Sequence, residues 1–188
     1  MYRMELRSEE TETKDASANY FALKTRSGGD MMEHWEEFEA EKVLAVGWED
    51  LIVDPSQVSI EELRGALFAT YADYTNKKAD GAIASIRAFI GLKNDDRVVI
   101  CTGYPSNRQT DVHIYAFARV IGPFFVGPSN GRKWRFKHKA VIQPVEREIA
   151  KADMVAALGK ESLMQTIHAI DRSGFERIGQ ILGVQINV

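Results

Sequence analysis

The chain has 188 residues, of which 45% are hydrophobic and 27% are charged, and its formal net charge is −3. This length and composition are typical of one globular domain with its own core, and the single cysteine, Cys101, excludes an intramolecular disulfide. No apolar run approaches the ~18 residues of a membrane span, and residues 1–14 lack the core of a signal peptide. We therefore expect a cytoplasmic protein with no membrane partner.

Charge is unevenly distributed along the sequence. Residues 1–80 contain 18 acidic and 9 basic side chains, whereas residues 81–188 contain 9 acidic and 15 basic ones. The basic excess is densest in residues 97–139, where eight basic residues stand against one acidic residue, Asp111. This segment suits a phosphate-bearing partner, while the overall negative charge argues against a protein that coats nucleic acid indiscriminately.

The first half of the chain predicts two strands followed by two helices. Residues 1–18 are polar and of mixed charge, which indicates a flexible N-terminus. Residues 19–25 and 43–48 predict strands, the first ended by a turn at residues 27–30. Ser59 and Glu62 form a capping box for a helix whose apolar stripe is Ile60, Leu63, Leu67, Tyr71 and Tyr74. A second helix is predicted from about residue 80 to residue 90, ended by Gly91 in the left-handed conformation.

From residue 96 the hydrophobic period changes to two. Strands are predicted at residues 97–102, 112–121 and 133–143, joined by loops at 103–110 and 122–131, and the last strand ends at Pro144. Three antiparallel strands are the simplest arrangement. In the middle strand the alternation places one set of residues on a single face: Val112, Ile114, Ala116, Ala118 and Val120.

The C-terminal part predicts further helices. Asp153 caps a short helix closed by Gly159, Leu163, Ile167 and Ile170 form an apolar stripe, and Ser173 with Glu176 forms a second capping box before Gly183. The whole pattern favours an α+β fold, a small mixed or antiparallel pseudo-barrel with flanking helices. We expect a domain at residues 19–145 and a helical extension at 146–188 that packs on the barrel.

No catalytic signature is present in the sequence. The segment from Gly122 to Ser129 has the glycine spacing of a phosphate-binding loop, but Pro128 stands where the lysine is required. There is no nucleophile-elbow or metalloprotease motif, and the four histidines are far apart with no second cysteine. We therefore expect no catalytic residue, no cofactor and no metal.

Aromatic residues occur in unusual places. Trp48 ends a buried strand directly after Gly47, Trp35 lies in a polar segment, and Trp134 is surrounded by basic residues. Tyr104 and Phe124 lie in predicted loops. Aromatic rings beside basic side chains suit a pocket that stacks on a nucleobase. These rings could also simply fill the ends of a small barrel.

Five segments in order resemble the PUA-like superfamily, and within it EVE domains and their YTH relatives. They are NYFALKT (19–25), AVGW (45–48), DRVVI (96–100), IYAFARVIGPF (114–124) and WRFKHKAVI (134–142). The resemblance covers about residues 19–145, and it departs from the family where Asp95–Asp96 replaces the usual Gly-Asp before a strand. It implies a pseudo-barrel whose pocket receives one flipped-out, often methylated, nucleobase between aromatic side chains.

The resemblance also implies roles for individual residues. Trp48 corresponds to a wall of the aromatic cage in YTH domains, and Thr25, Arg26 and Ser27 correspond to polar contacts to the base. Phe124, Arg132 and Trp134 border the groove, and the second wall is left open between Trp35, Tyr104, Phe124 and Trp134. The cations expected on phosphates are Arg119, Arg132, Lys133, Arg135, Lys137 and Lys139.

The sequence therefore predicts a non-enzymatic module that binds a modified base in DNA or RNA. EVE-like modules occur fused to nucleases in systems that restrict modified DNA, and this sequence has no nuclease motif, so any cutting would belong to a partner nuclease chain. Two alternatives are a protein-interaction module with the aromatic residues as anchors and an enzyme that modifies nucleotides or RNA.

Overall fold

The fold is described from a computed structural model, which covers residues 18–25, 35–48, 50–102, 111–127, 134–159 and 166–188. The elements in chain order are β1 (Tyr20–Lys24), α1 (Trp35–Glu41), β2 (Val43–Val46), α2 (Ile60–Thr70), α3 (Asn76–Ile90), β3 (Arg97–Cys101), β4 (Asp111–Val126), β5 (Phe136–Ala150), α4 (Lys151–Leu158), β6 (Ile167–Ile170) and α5 (Arg172–Leu182). The predicted N-terminal segment up to residue 17, the turn at 27–30 and the loop at 103–110 lie outside the described residues.

The strands form one mixed sheet. Within the described segments its order is β2-β5-β4-β3-β1-β6. β1 pairs with β3 in parallel, and the other neighbours are antiparallel. The α+β class and the antiparallel β3, β4 and β5 predicted from the sequence are confirmed.

The sheet has a separate hydrophobic core on each side. On one side Leu63, Leu67, Ile86 and Phe89 of α2 and α3 pack against the sheet, together with residues of α1. On the other side the buried residues of α4 and α5 pack against β3, β4 and β5; they are Met154, Leu158, Phe175, Ile178 and Leu182. Helices therefore cover both sides of the sheet.

The strands fan apart where β3, β4 and β5 run side by side. Ile100 and Cys101 are adjacent in β3, but they pair with Ala116 and Ile114, which are two residues apart in β4. Ala116 and Ile114 in turn pair with Pro144 and Arg147, which are three residues apart in β5. We call this irregularity, at residues 100–101, 114–116 and 144–147, the fan. Extra residues of this kind bend strands and increase their twist, so this irregularity curls the sheet.

This irregular pairing contradicts two predictions about β4 and β5. β5 continues through Pro144 to Ala150, because the missing N–H of a proline is tolerated where the pairing is already irregular. In β4 the extra residue, Tyr115, interrupts the alternation. Val112 and Ile114 therefore join the core of α4 and α5, while Ala116, Ala118 and Val120 join the core of α2 and α3, and the expectation of one shared face is wrong. Residues 122–126, predicted as part of a loop, also belong to β4.

α2 is capped as predicted. The Ser59 hydroxyl accepts from the Glu62 N–H at 3.2 Å, and the Ser59 N–H donates to the Glu62 carboxylate at 2.8 Å. This helix ends at Thr70, however, so Tyr71 and Tyr74 lie beyond it.

α3 differs from the prediction at both ends. It begins at Asn76 because Thr75 caps it, its hydroxyl accepting from the Lys78 N–H at 3.3 Å. Gly91 has φ −73° and not the predicted left-handed value, since its N–H continues the helical pattern to the Arg87 carbonyl.

The C-terminal part contains a strand that the sequence pattern did not predict. Ile167 and Ile170, expected on a helix, belong to β6, which pairs with β1; the Lys24 N–H extends that pairing to the Thr166 carbonyl at 2.8 Å. β5 crosses residue 145 and β6 joins the same sheet, so residues on both sides of the expected boundary at 145 share it.

The C-terminal helix caps were predicted in part. α4 begins at Lys151 and α5 at Arg172, so Asp153 and Ser173 lie inside first turns and the predicted caps there are wrong. The Glu176 carboxylate instead accepts from Arg172 at 2.7 Å. Gly159 and Gly183 end these helices at the predicted positions, and both have a left-handed φ.

A buried carboxylate ties β1 to the turn before β3. Asp96 is 1% exposed, and its Oδ1 accepts from both the backbone N–H and the side-chain amide of Asn19, each at 3.0 Å. Its Oδ2 accepts from the Lys93 N–H at 2.8 Å. Asp96 thus stabilises the turn that enters β3.

We expect Asp96→Ala to lower the free energy of unfolding by about 2–4 kcal/mol, because three donors lose their acceptor in a buried place. Urea-induced unfolding followed by circular dichroism measures the change. The matched control is Asp80→Ala, which removes an exposed carboxylate paired with Arg64 and should cost less than about 1 kcal/mol. Equal losses in the two variants would contradict the role given to Asp96.

Candidate nucleic-acid interface

Trp48 lies just after β2 in an unusual backbone conformation. Its φ is 71°, in the left-handed region that a bulky side chain rarely adopts. The Leu51 N–H donates to the Trp48 carbonyl at 3.1 Å and closes a tight turn there. The side chain is half-buried, and its indole N–H donates to the Tyr74 hydroxyl at 3.0 Å. The ring is therefore held in one place by both the backbone and a side-chain hydrogen bond.

Trp48 is linked through Tyr74 to a second tyrosine, Tyr71. Tyr71 and Tyr74 lie between α2 and α3, both half-buried, and their rings stack with centroids 4.9 Å apart and an interplanar angle of 22°. We call Trp48, Tyr71 and Tyr74 the aromatic cluster. The sequence pattern missed the two tyrosines as site residues because their spacing continues the apolar stripe of α2.

The other predicted tryptophans are buried in two different places. Trp134 is 2% exposed, and its ring meets Phe38 edge-on at 5.4 Å. A Cβ at Gly47 would lie 3.8 Å from the Trp134 ring, so Trp134 packs beneath the turn that carries Trp48.

Trp35 lies against the fan of β4 and β5. It is 4% exposed, stacks on Tyr115 at 5.5 Å, and donates its indole N–H to the Glu146 carboxylate at 3.0 Å. Glu146 itself has a left-handed φ of 48°. Trp134 is thus next to the aromatic cluster, and Trp35 has separate ring and hydrogen-bond partners.

Phe124 lies in the second irregular stretch of β4. Its half-buried ring lies 6.1 Å from Phe136 and 5.8 Å from the ring of His138. His138 is fully buried, and its two ring nitrogens lie 3.1 Å from the Gly122 carbonyl and 2.9 Å from the Phe89 carbonyl. The histidine links the end of α3 to β4 and contacts Phe124 at the edge of the core.

The predicted polar contacts to a base are described only in part. Thr25 is fully buried, and its hydroxyl donates to the Cys101 carbonyl at 3.4 Å. Beside it, burial lowers the pKa of Lys24. Five predicted residues lie outside the described segments: Arg26, Ser27, Tyr104, Arg132 and Lys133.

Two of the described cations are engaged inside the fold. Lys137 is 4% exposed, and its ammonium forms an ion pair with Glu41 at 2.5 Å. The Arg135 guanidinium donates to the Leu51 carbonyl at 3.0 Å, within the turn that follows Trp48. Both cationic groups therefore have partners within the fold.

The other two described cations lie at the surface. Arg119 forms an ion pair with Asp95 at 3.1 Å, and one third of its side chain is exposed. Lys139 is exposed, with its ammonium 5.8 Å from the centroid of the Phe125 ring. These two cations are placed to meet an anion from solvent.

The described segments hold no group of three or more His, Cys, Asp or Glu arranged to bind a metal ion. Among the helices described, none combines the length and apolar character needed to cross a membrane.

No protein-family model and no curated protein matches the chain. Solved structures similar to it include protein Atu2648 from Agrobacterium tumefaciens, with TM-score 0.48, 14% identity, and coverage of 89% of this chain and 94% of that one. The YTH domain of Zygosaccharomyces rouxii MRB1, in complex with N6-methyladenosine RNA, has TM-score 0.47, 11% identity and 90% coverage of each chain. Human THYN1, in complex with DNA containing 5-methylcytosine, has TM-score 0.41, 11% identity, and coverage of 90% of this chain and 100% of that one.

A YTH domain is thus among the structures that this chain resembles, as the sequence motifs indicated.

The ion pair of Lys137 gives a test of its structural role. We expect Lys137→Met to lower the free energy of unfolding by about 1–3 kcal/mol, because Glu41 loses its partner in a partly buried place. In the double variant with Glu41→Gln, part of this loss should return, since no unpaired charge is left. Urea unfolding of the two single variants and the double variant measures the coupling. Strictly additive losses would show that the pair contributes nothing.

Proposed function

We propose that this protein binds a nucleic acid by stacking one extruded, methylated base on Trp48, and that it acts by binding and not by catalysis. The observation that carries the proposal is the conformation of Trp48. A left-handed backbone at a bulky residue costs about 1–3 kcal/mol, and such strain is concentrated at binding and catalytic sites. The strain here serves to present a half-buried indole at the end of a strand.

The surroundings of the ring support this role. The hydrogen bond to Tyr74 fixes the indole edge, and the half-buried ring keeps part of its surface exposed to solvent. Stacking on an aromatic side chain is worth about 1–3 kcal/mol per base, which offsets much of the cost of removing a base from its stack. A methyl group adds apolar area to the base, and it contributes to binding where an aromatic wall excludes water from it.

The ligands of the similar structures supply the probes for a test. An RNA strand with one N6-methyladenosine and a DNA strand with one 5-methylcytosine, each with an unmodified counterpart, are titrated against the protein by fluorescence anisotropy. We expect tighter binding of at least one methylated strand. Trp48→Ala should reduce the affinity for that strand by about 1–3 kcal/mol, because the stacking surface is lost.

The control variant is Phe68→Ala, which removes an aromatic ring that is 37% exposed on α2. It should leave the preference for the methylated strand unchanged. Should Trp48→Ala bind methylated and plain strands with the affinities of the unchanged protein, Trp48 has no part in binding a base.

A further inference from the structure

The hydroxyl of Tyr74 lies at the edge of the Trp48 ring. The indole N–H of Trp48 donates to it at 3.0 Å, and an indole nitrogen can only donate. All three rings of the aromatic cluster pack against the core beneath α2 and α3, so the hydroxyl and the indole belong to the same side of the sheet. The oxygen of Tyr74 is the acceptor in this hydrogen bond, and its own proton therefore points elsewhere.

The polar groups next to Tyr74 in the chain are engaged with one another. The Lys78 ammonium donates to the Asp73 carboxylate at 2.6 Å, and the Lys78 N–H donates to the Thr75 hydroxyl at 3.3 Å. The Tyr74 N–H donates to the Tyr71 carbonyl at 3.0 Å. Within the segments that the structure describes, no atom accepts a hydrogen bond from the Tyr74 O–H. A half-buried phenol of this kind donates to water or to a ligand.

The hydrogen bond from Trp48 decides which role the Tyr74 hydroxyl can take. The O–H of a phenol lies near the plane of its ring, which leaves the oxygen two in-plane positions, one for the proton and one for an accepted hydrogen bond. The indole N–H occupies the second position. Accepting from the indole also polarises the O–H and makes it a stronger donor. The stack of Tyr74 on Tyr71, with centroids 4.9 Å apart, holds the ring in this orientation, so the site offers a donor and not an acceptor.

A fixed donor distinguishes methylated bases by their Watson–Crick edge. N3 of 5-methylcytosine and N1 of N6-methyladenine each have a free lone pair and accept a hydrogen bond. Thymine carries the same 5-methyl group as 5-methylcytosine, but its N3 carries a hydrogen and donates. Stacking and contacts to the methyl group cannot separate these two bases, because their shapes are nearly the same. A donor that faces N3 separates them, since in the thymine complex two donors meet and neither has an acceptor.

We propose that Tyr74 determines the specificity of the site: its O–H donates to the Watson–Crick ring nitrogen of the base stacked on Trp48, so that the protein binds methylated cytosine or adenine and rejects thymine. This inference rests on the proposed function, because it concerns the same base. It gives the indole N–H a second role, since that N–H keeps the Tyr74 oxygen from accepting. In DNA this selection matters because thymine surrounds every methylated cytosine.

The test uses three DNA strands that contain no other thymine and differ in one base, which is 5-methylcytosine, cytosine or thymine. Fluorescence anisotropy measures their affinities. The unchanged protein should bind the 5-methylcytosine strand about tenfold tighter than the thymine strand. Tyr74→Phe keeps the stacked ring but removes the donor, and it should reduce this ratio to about twofold while the preference over plain cytosine remains. In RNA, the same comparison is made between N6-methyladenosine and its 1-deaza analogue, which lacks the N1 acceptor.

A second variant tests the part played by the indole N–H. Trp48→Phe keeps an aromatic ring for stacking but removes the donor to Tyr74, whose oxygen can then accept from N3–H of thymine. We expect the ratio between 5-methylcytosine and thymine to fall in this variant as well, although the Tyr74 hydroxyl is still present. The matched control is Tyr20→Phe, which removes a hydroxyl on the other side of the sheet, where the Tyr20 ring lies 5.2 Å from Phe175. It should leave the ratio unchanged.

The inference is overturned if Tyr74→Phe keeps the ratios of the unchanged protein, or if the unchanged protein binds each methylated base and its comparison base equally. A uniform loss of affinity for all strands in Tyr74→Phe would also overturn it, because the hydroxyl would then only position Trp48. These outcomes are separable from failure of the proposed function. That function fails when Trp48→Ala binds methylated strands like the unchanged protein, whereas a loss in Trp48→Ala with unaltered ratios in Tyr74→Phe concerns only Tyr74.

Discussion

The fan between β3, β4 and β5 is the constraint on which the rest of the structure depends. Two residues that are adjacent in β3 face two that are two residues apart in β4 and two that are three residues apart in β5. This mismatch forces the strands to diverge and the sheet to curl. The extra residue in β4, Tyr115, moves the following side chains to the opposite face. A single long strand thereby contributes to both cores, beneath α4 and α5 at its start and beneath α2 and α3 further along. The fan also places Glu146 where it accepts the indole N–H of Trp35.

The sequence predicted those elements whose signals are local. The capping box at Ser59 and the helix ends at Gly159 and Gly183 depend on residues within a few positions, and the structure has them where expected. The fan has no such signal, because the number of residues opposite Tyr115 is decided by three strands at once. β6 has a similar cause: Ile167 and Ile170 have helical spacing, but hydrogen bonds to β1 stabilise them as a strand. Tertiary pairing outweighs local preference at both places.

For the candidate site, the sequence located residues but not their surroundings. Trp48 stands out in the sequence because it follows Gly47 at the end of an apolar run, whereas its partner Tyr74 lies 26 residues away, between α2 and α3. The charge distribution identifies the basic segment, but it cannot distinguish Lys137 from Lys139. Lys137 is paired with Glu41, whereas Lys139, two residues later, is exposed. The position of Glu41 at the end of α1 decides this difference, and no pattern within the basic segment contains it.

The rigidity of Trp48 bears on how a base would bind there. Ordering a loose aromatic side chain on binding costs about 0.5–1.5 kcal/mol, a sizeable part of what stacking returns. Here the turn closed by Leu51, the packing of Trp134 below Gly47 and the hydrogen bond to Tyr74 have already fixed the ring. The energetic cost of the Trp48 backbone at φ 71° is therefore offset by the favourable free energy of folding, before any ligand is present. A weak stacking interaction can then appear almost fully in the affinity.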